Sequence, residues 1–176
     1  HYDNATLYND SIVAEIVKRF QKEDAVIIYV PDHGEECYEE NRGFICRNHS
    51  ANIDWKLAHY EFEIPFWIYC SKKYIQKHRA IYRQIRAAKD KRMMTDALPH
   101  LLLYLAGIET PTYKEENNIL SPKYNEMRPR ILKNSADYDK LRDEYFKTQA
   151  KQEEKKQDKK KDKKQGKKQT KKGARK

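Results

Sequence analysis

The spacing of apolar residues divides the first 30 residues into a helix and a strand. Apolar side chains recur at helical spacing in residues 9–20, and Asn9, Asp10 or Ser11 can cap the start of this helix. After a polar turn, residues 25–30 are all apolar and mostly β-branched or aromatic. Such a run predicts a strand buried on both faces. A helix joined to a strand by a short turn is typical of an α/β fold.

The same pattern continues in the middle of the chain. Residues 64–70 predict a second strand, and residues 74–90 predict a second helix with isoleucines on one side. A third helix is predicted from Thr95 or Asp96 to Leu105, with Gly107 as the residue that ends it.

Charge separates the end of the chain from the rest. Residues 147–176 carry 15 basic and 4 acidic side chains, whereas residues 1–146 carry 22 basic and 23 acidic ones. The net charge of +10 therefore belongs to the tail, which has no apolar side chain larger than Ala and is predicted to be disordered. We divide the chain into a domain over 1–133, a helical connector over 134–146 and a lysine-rich tail over 147–176.

A carboxylate and an imidazole directly follow the first predicted strand. The apolar run stops at Pro31, and Asp32, His33 and Gly34 come next. Open α/β sheets bind ligands at the carboxyl ends of their strands, and Gly34 permits a bend that aims both side chains at one point. An Asp oxygen and a His nitrogen together suit zinc or manganese. The alternative is that Asp32 caps the next turn and His33 is a surface side chain.

Residues 34–60 are polar, and apolar residues in them follow no period. An irregular segment of this length in a compact domain is usually functional. It carries His49 and His59, and its Arg42 and Arg47 can either meet a phosphate or carboxylate or lie in solvent.

The three cysteines match the spacing of no structural zinc motif. Cys37 and Cys46 flank a short polar loop that a disulfide can close. Cys70 ends an apolar run and is predicted to be a buried thiol.

Four segments, in order along the chain, resemble the phosphoethanolamine transferases of the alkaline phosphatase and sulfatase superfamily. They are the YDN helix start in residues 2–10, the strand and DHGE of residues 27–35, YEFEIPFWI in residues 60–68, and TDALPHLLLYLAGI in residues 95–108. Together they extend over about residues 2–110 and resemble the C-terminal third of the family's catalytic domain.

The resemblance implies an α/β/α sandwich of the alkaline phosphatase/sulfatase type, present only as its C-terminal portion, with zinc at the strand ends. In the family a Glu, a nucleophilic Thr and an Asp-His pair hold the metal, and this pair corresponds to Asp32 and His33. The Glu and the Thr have no counterpart, so no catalytic nucleophile is expected in this chain. The family's downstream His, which contacts the phosphoryl group, corresponds to His49, with His59 as the second candidate.

The resemblance also implies an activity and a location. The expected parent enzyme moves phosphoethanolamine from phosphatidylethanolamine to lipid A or another lipopolysaccharide sugar, in the bacterial inner membrane with its catalytic domain in the periplasm. A periplasmic location favours the disulfide between Cys37 and Cys46. The chain opens at His1 with neither a signal peptide nor a long apolar run. We interpret it as the trailing part of a longer protein whose membrane helices precede it, and expect it to be inactive alone.

The sequence also allows two other functions. One is a sulfatase or phosphodiesterase of the same superfamily, in which a sulfatase would have Cys or Ser as the nucleophile instead of Thr. The other is a non-catalytic module whose lysine-rich tail binds anionic lipid or nucleic acid. Nucleic acid is the less favoured ligand because the domain itself is close to neutral.

Overall fold

The chain consists of two compact units. The structure, a computed structural model, describes residues 1–41, 43–46 and 53–173, with side chains as far as Lys156 except at positions 40, 44–46 and 57. One unit comprises residues 1–34 and 62–128, and the other comprises residues 35–61 and 129–176. In the second unit, residues 35–61 pack with the C-terminal region. The division at residue 133 stays a prediction. Packing between segments so far apart in sequence leaves no local pattern.

The elements follow one another as helices and short strands. In chain order they are α1 (Tyr2–Phe20), β1 (Val26–Tyr29), β2 (Glu36–Cys37), β3 (Phe44–Cys46), α2 (Trp55–Phe62), β4 (Trp67–Cys70), α3 (Lys72–Lys77), α4 (Arg79–Ala88), α5 (Leu98–Ala106), β5 (Ile131–Leu132), β6 (Ala136–Asp137) and α6 (Tyr138–Gly173). In the described part of the chain, the strands pair as β1 with β4, β2 with β3 and β5 with β6, each pair antiparallel.

The β1–β4 ladder organises the first unit. Its register runs from Val26 opposite Cys70 to Tyr29 opposite Trp67, and the last two rings stack with centroids 5.2 Å apart. Aromatic pairs directly opposite each other stabilise a sheet beyond their buried area. Both strands lie where the sequence predicts them. The prediction that β1 is buried on both faces is wrong, because all four of its residues are only half-buried.

The core of the first unit lies between this ladder and helices α4 and α5. Leu101 is fully buried there, and Ile28 and Ile68 of the ladder pack against the same cluster. Gly107 ends α5 in the left-handed conformation, with a φ of 66°. The backbone N–H groups of Gly107 and Ile108 donate to the last carbonyls of α5. This confirms the predicted third helix and its C-cap. The α-helix begins at Leu98 after a 3-10 turn over Thr95–Ala97, so the predicted cap at Thr95 or Asp96 is wrong.

The other two predicted helices also have different bounds in the structure. Helix α1 begins at Tyr2 and not at residue 9. The predicted cap Ser11 therefore lies inside the helix, where its hydroxyl donates to Leu7 O at 3.0 Å. The predicted helix over residues 74–90 is two helices, α3 and α4. They meet at His78, whose dihedral angles (φ −114°, ψ 47°) are not helical. The isoleucine pattern continues across this break, so periodicity alone did not detect it.

The segment predicted to be irregular, residues 34–60, contains β2, β3 and most of α2. Strands of two and three residues are too short to show a period. Helix α2 escaped detection because its inward positions include Glu61, a polar residue that is 1% exposed, beside Trp55 and Ala58.

The second unit is held together by aromatic rings and one arginine. The Trp55 ring lies 5.2 Å from that of Tyr138 and 5.8 Å from that of Phe146. Arg130 covers the Tyr138 ring at 4.4 Å and donates twice to Asp139, at 2.6 and 3.1 Å. These contacts fix the start of α6 at Tyr138. The connector predicted over 134–146 is helical only from that residue onward, because Ala136 and Asp137 form β6.

Helix α6 continues to Gly173, across the region predicted to be disordered. Lys, Glu and Gln are strong helix formers, which accounts for a helical backbone here. Residues 150–156 are all exposed, so this part of α6 buries no face. Among the described residues, no helix is long and apolar enough to cross a membrane.

We expect Leu101→Ala to destabilise the protein by about 2–5 kcal/mol, because the fully buried side chain leaves a cavity. Leu102→Ala is the matched control. Its side chain is 47% exposed, and the expected change is within about 0.5 kcal/mol. Urea denaturation followed by circular dichroism measures both. Equal losses in the two variants would contradict this description of the core.

Candidate metal centre

The end of β1 places Asp32 and His33 in the first unit. The ladder to β4 ends at Tyr29, and Pro31 has no N–H to donate to a further ladder bond. The chain therefore leaves the sheet just before the two side chains. This confirms the sequence-based placement of both residues beyond a strand end.

The two side chains approach each other closely. His33 Nε2 lies 3.5 Å from Asp32 Oδ2, with the imidazole 24% exposed and the carboxylate 88% exposed. Two ligands of a tetrahedral zinc ion, each bonded at about 2.0–2.2 Å, lie about 3.4 Å apart. The observed separation fits a zinc ion bound between the two atoms, and the nitrogen and oxygen donors are of the kind that zinc binds.

The hydrogen bond of His33 Nδ1 determines the tautomer of the imidazole. Nδ1 lies 2.8 Å from the carbonyl oxygen of Gly34. It can form this bond only as a protonated donor, so neutral His33 has the proton on Nδ1 and a lone pair on Nε2. Nε2 is the atom that faces Asp32. A hydrogen bond of this type is the usual device that orients a metal-binding imidazole.

Asp32 and His33 form half of a typical ligand set. Among the described residues, no group of three or more His, Cys, Asp or Glu side chains could hold a metal ion. Catalytic zinc sites supply three protein ligands. The described part of the chain therefore offers two candidate ligands that lie together. The expectation that the family's Glu and Thr have no counterpart in this chain stays a prediction.

Of the predicted substrate-binding residues, His59 is the one that lies in the described part of the chain. His49 lies outside the described residues, as do Arg42 and Arg47. His59 lies on α2 in the second unit, is exposed, and stacks on Trp55 with ring centroids 5.7 Å apart. The choice between His49 and His59 stays a prediction.

A second Asp-His pair, which sequence reasoning missed, lies in the same unit. Asp24 Oδ1 is 3.2 Å from His78 Nε2, and Asp24 Oδ2 accepts from Lys77 Nζ at 3.0 Å. The Lys77 hydrogen bond holds the pKa of Asp24 below its usual value. The ammonium already neutralises this carboxylate and repels a cation, so the pair does not suit a metal ion.

The structure describes the cysteines to different extents. Cys37 lies on β2 opposite Phe44 of β3, whereas Cys46 lies opposite Glu36. The two strands are paired, but the Cys46 side chain is outside the described set, so the disulfide stays a prediction. Cys70 is unbridged but only half-buried, so the prediction of a fully buried thiol is wrong. Its partial burial still raises the pKa of the thiol.

Comparison with known proteins shows which family this chain is similar to. A family model described as "Sulfatase" matches residues 1–108. The chain is 31% identical over 147 residues to the phosphoethanolamine transferase EptC of Escherichia coli (strain K12), covering 80% of this chain and 24% of that protein. It is 34% identical over 85 residues to the phosphoethanolamine transferase EptA of Helicobacter pylori (strain ATCC 700392 / 26695), covering 47% and 15%. The chain thus spans at most about a quarter of these relatives.

Solved structures of the E. coli EptC C-terminal periplasmic domain have the same fold as this chain. One superposes with a TM-score of 0.61 and 28% identity, over 78% of this chain and 39% of the domain. A second, a complex with zinc, superposes with a TM-score of 0.58 and 27% identity, with the same coverage. The α/β architecture predicted for the C-terminal portion of a sulfatase-type domain is therefore confirmed.

We expect neutral His33 to be protonated on Nδ1, because that nitrogen donates to Gly34 O. His100 is an internal control with the opposite tautomer, since its Nδ1 accepts from the backbone N–H of Lys114 at 3.1 Å. Long-range ¹⁵N–¹H correlation spectra at a pH where both rings are neutral distinguish the two tautomers. An Nε2-protonated His33 would be incompatible with metal binding through Nε2.

Proposed function

This chain belongs to the sulfatase family, and we propose that it supplies the Asp32–His33 half of the zinc site of a phosphoethanolamine transferase. The observation that carries the proposal is the 3.5 Å separation of Asp32 Oδ2 and His33 Nε2 beyond the end of β1. The family model includes this strand end within residues 1–108.

The choice of a transferase over a sulfatase or phosphodiesterase rests on the relatives. Both reported relatives are phosphoethanolamine transferases, and one of them matches four-fifths of this chain. The acceptor that we propose is lipid A or another lipopolysaccharide sugar, and the donor is phosphatidylethanolamine.

Asp32 and His33 act in this proposal as metal ligands. The Asp32 carboxylate lowers the net charge of the site, and the Nδ1–H bond to Gly34 keeps the lone pair of His33 Nε2 directed at the same point. A bound zinc ion supplies Lewis acidity, which lowers the cost of deprotonating a hydroxyl nucleophile. Zinc is the proposed cofactor because the donors fit it and because a solved relative is a zinc complex.

The nucleophile in this proposal is a threonine outside residues 1–176. Its oxygen bonds to the phosphorus of the donor lipid, the phosphorus–oxygen bond to diacylglycerol breaks, and diacylglycerol leaves with a proton. The acceptor oxygen then attacks the phosphothreonine, and the threonine hydroxyl is restored. Among the described threonines, Thr6 donates to Tyr2 O, and Thr110 and Thr112 bond to each other at 3.1 Å.

The substrate contact is proposed for a histidine of residues 35–61. His49 is the first candidate and His59 the second, because a protonated or donating imidazole stabilises phosphoryl oxygens as negative charge develops on them. Single alanine variants of the two residues in an active full-length enzyme would separate the candidates.

The proposed location is the periplasmic side of the bacterial inner membrane. The solved relative is described as a C-terminal periplasmic domain, which supports this side of the membrane. The membrane attachment that we propose lies outside this chain.

We expect zinc to bind the 176-residue chain weakly, because two protein ligands are fewer than a catalytic site supplies. Asp32→Ala and His33→Ala should each lower zinc affinity by at least about tenfold, since each removes a direct ligand. Isothermal calorimetry against a weak competing chelator measures the affinity.

The control variant for this experiment is His78→Ala, which removes an imidazole from the Asp24 pair in the same unit. Its zinc affinity should stay within twofold of the wild type. If His33→Ala and His78→Ala lose the same amount, binding is nonspecific and the proposed site is wrong.

We further expect no phosphoethanolamine transfer by residues 1–176 alone, because two zinc ligands without the threonine provide no covalent route. The assay follows labelled phosphoethanolamine from a phosphatidylethanolamine donor to lipid A. Only background transfer is expected, with E. coli EptC as the positive control. Zinc-dependent transfer above background that His33→Ala abolishes would show that this chain carries its own nucleophile.

A further inference from the structure

One side of helix α4 carries only positive charge. Arg79, Arg83 and Arg86 lie at positions i, i+4 and i+7 of this ten-residue helix, which places them on one face about 10 Å long. All three residues are exposed. The opposite side of α4 already has its packing partners, since Ile81 and Ile85 lie against the core of the first unit. We call the three arginines the α4 basic face.

Basic residues are concentrated in this part of the sequence. Residues 72–89, which span α3 and α4, contain seven Lys or Arg residues and no Asp or Glu. Residues 1–146 as a whole carry 22 basic and 23 acidic side chains. Seven of those 22 basic side chains therefore lie in one stretch, although the domain around it is close to neutral.

The α4 basic face is not neutralised by the rest of the described chain. Lys77, which precedes α4, has a carboxylate partner in Asp24 at 3.0 Å. Arg86 donates to the hydroxyl of Tyr82 at 3.5 Å, and this partner is uncharged. In the part of the chain that the structure describes, no carboxylate forms an ion pair with any of the three arginines.

Helix stability does not explain this arrangement. Like charges at i and i+4, such as Arg79 and Arg83, destabilise a helix. Helix α4 also begins at Arg79 and has no acidic residue in its first turn, where the helix dipole disfavours a cation. Solvated helix faces usually alternate charges of both signs. A ligand with negative charge accounts for a feature that local stability disfavours.

The α4 basic face fits a flat surface that carries many phosphates. Arginine binds phosphate oxygens through several N–H donors that lie in one plane. At physiological ionic strength, salt largely screens exposed charges that are more than about 8 Å apart. A lipid bilayer therefore interacts with the protein face that touches it, and acidic side chains elsewhere on the domain weaken this contact little.

We propose that the α4 basic face is a peripheral docking surface for the anionic phosphates of a phospholipid bilayer. The contact is electrostatic, because the other exposed residues of α4 are Ala80 and Ala87, which have no large apolar side chain to insert. It is additional to the membrane attachment outside this chain. The choice of lipid over nucleic acid rests on the proposed function, whose substrates are lipids, whereas the face itself rests on geometry and charge.

The test measures co-sedimentation of the 176-residue chain with vesicles in EDTA. One set of vesicles contains phosphatidylethanolamine and the anionic lipid phosphatidylglycerol, and the other contains phosphatidylethanolamine and phosphatidylcholine, which are both uncharged overall. We expect binding to the anionic vesicles alone. Binding should be lost between about 0.1 M and about 1 M salt, where the screening length falls from about 10 to about 3 Å. Since neither zinc nor catalysis enters the assay, failure of the proposed function does not affect the result.

A matched pair of double variants locates the surface. Arg79→Gln with Arg83→Gln should weaken binding at least tenfold, because each basic side chain near an anionic lipid surface strengthens binding about fivefold. Lys147→Gln with Lys151→Gln removes the same charge at the same spacing from exposed positions of α6. It leaves the α4 basic face intact and should stay within twofold of the wild type. Glutamine is a good helix former, so both variants should keep wild-type helix content and melting temperature.

Four results would overturn the proposal. The first is the absence of wild-type binding to the anionic vesicles. The second is equal weakening by the two double variants, which would assign binding to overall charge. The third is weakening by the lysine variant alone, which would assign binding to the tail. The fourth is binding of a short DNA duplex that the arginine variant abolishes while vesicle binding stays at the wild-type level, which would assign the face to nucleic acid.

Discussion

The first unit depends on how Ser71 joins the two strands of its ladder. Its fully buried hydroxyl donates to Glu23 O at 2.6 Å and accepts from the N–H groups of Ala25 and Tyr74 at 3.3 and 3.0 Å. The Ser71 N–H also donates to Ala25 O at 3.0 Å. One residue thus closes the ladder at the start of β1 and caps α3. A slip of one residue in β1 would break the three bonds to Glu23 and Ala25 and turn every β1 side chain to the other face.

The fixed register has consequences at the opposite end of β1. Because Val26 is held opposite Cys70, the ladder ends with the stacked rings of Tyr29 and Trp67. The Tyr29 hydroxyl accepts from Asn9 of α1, and the chain that leaves this end carries Asp32 and His33. The position of the proposed metal ligands and that of α1 are therefore set by the same four-residue strand, whose register a buried serine determines.

The sequence predicted those features whose cause is local. A continuous apolar run, Pro31 and the DHGE motif located β1 and the two ligands, and Gly107 located the end of α5 through its left-handed backbone. Features with a nonlocal cause were missed. At the break between α3 and α4, the His78 side chain contacts Asp24, which is far away in sequence. Helix α2 turns Glu61 inward, where an apolar residue would have marked the helix. The half-burial of β1 could not be predicted either, because an apolar sequence indicates that a strand favours burial but does not show which residues cover it.

The geometry of Asp32 and His33 fits a bound cation better than a contact that stabilises the fold. The Nδ1–H bond to Gly34 O leaves the lone pair of neutral His33 Nε2 facing Asp32 Oδ2, 3.5 Å away. A lone pair and a carboxylate that face each other repel, so this contact by itself does not stabilise the strand end. A cation between the two atoms makes the same geometry attractive. The zinc ion that we propose therefore accounts for an arrangement that packing alone does not favour.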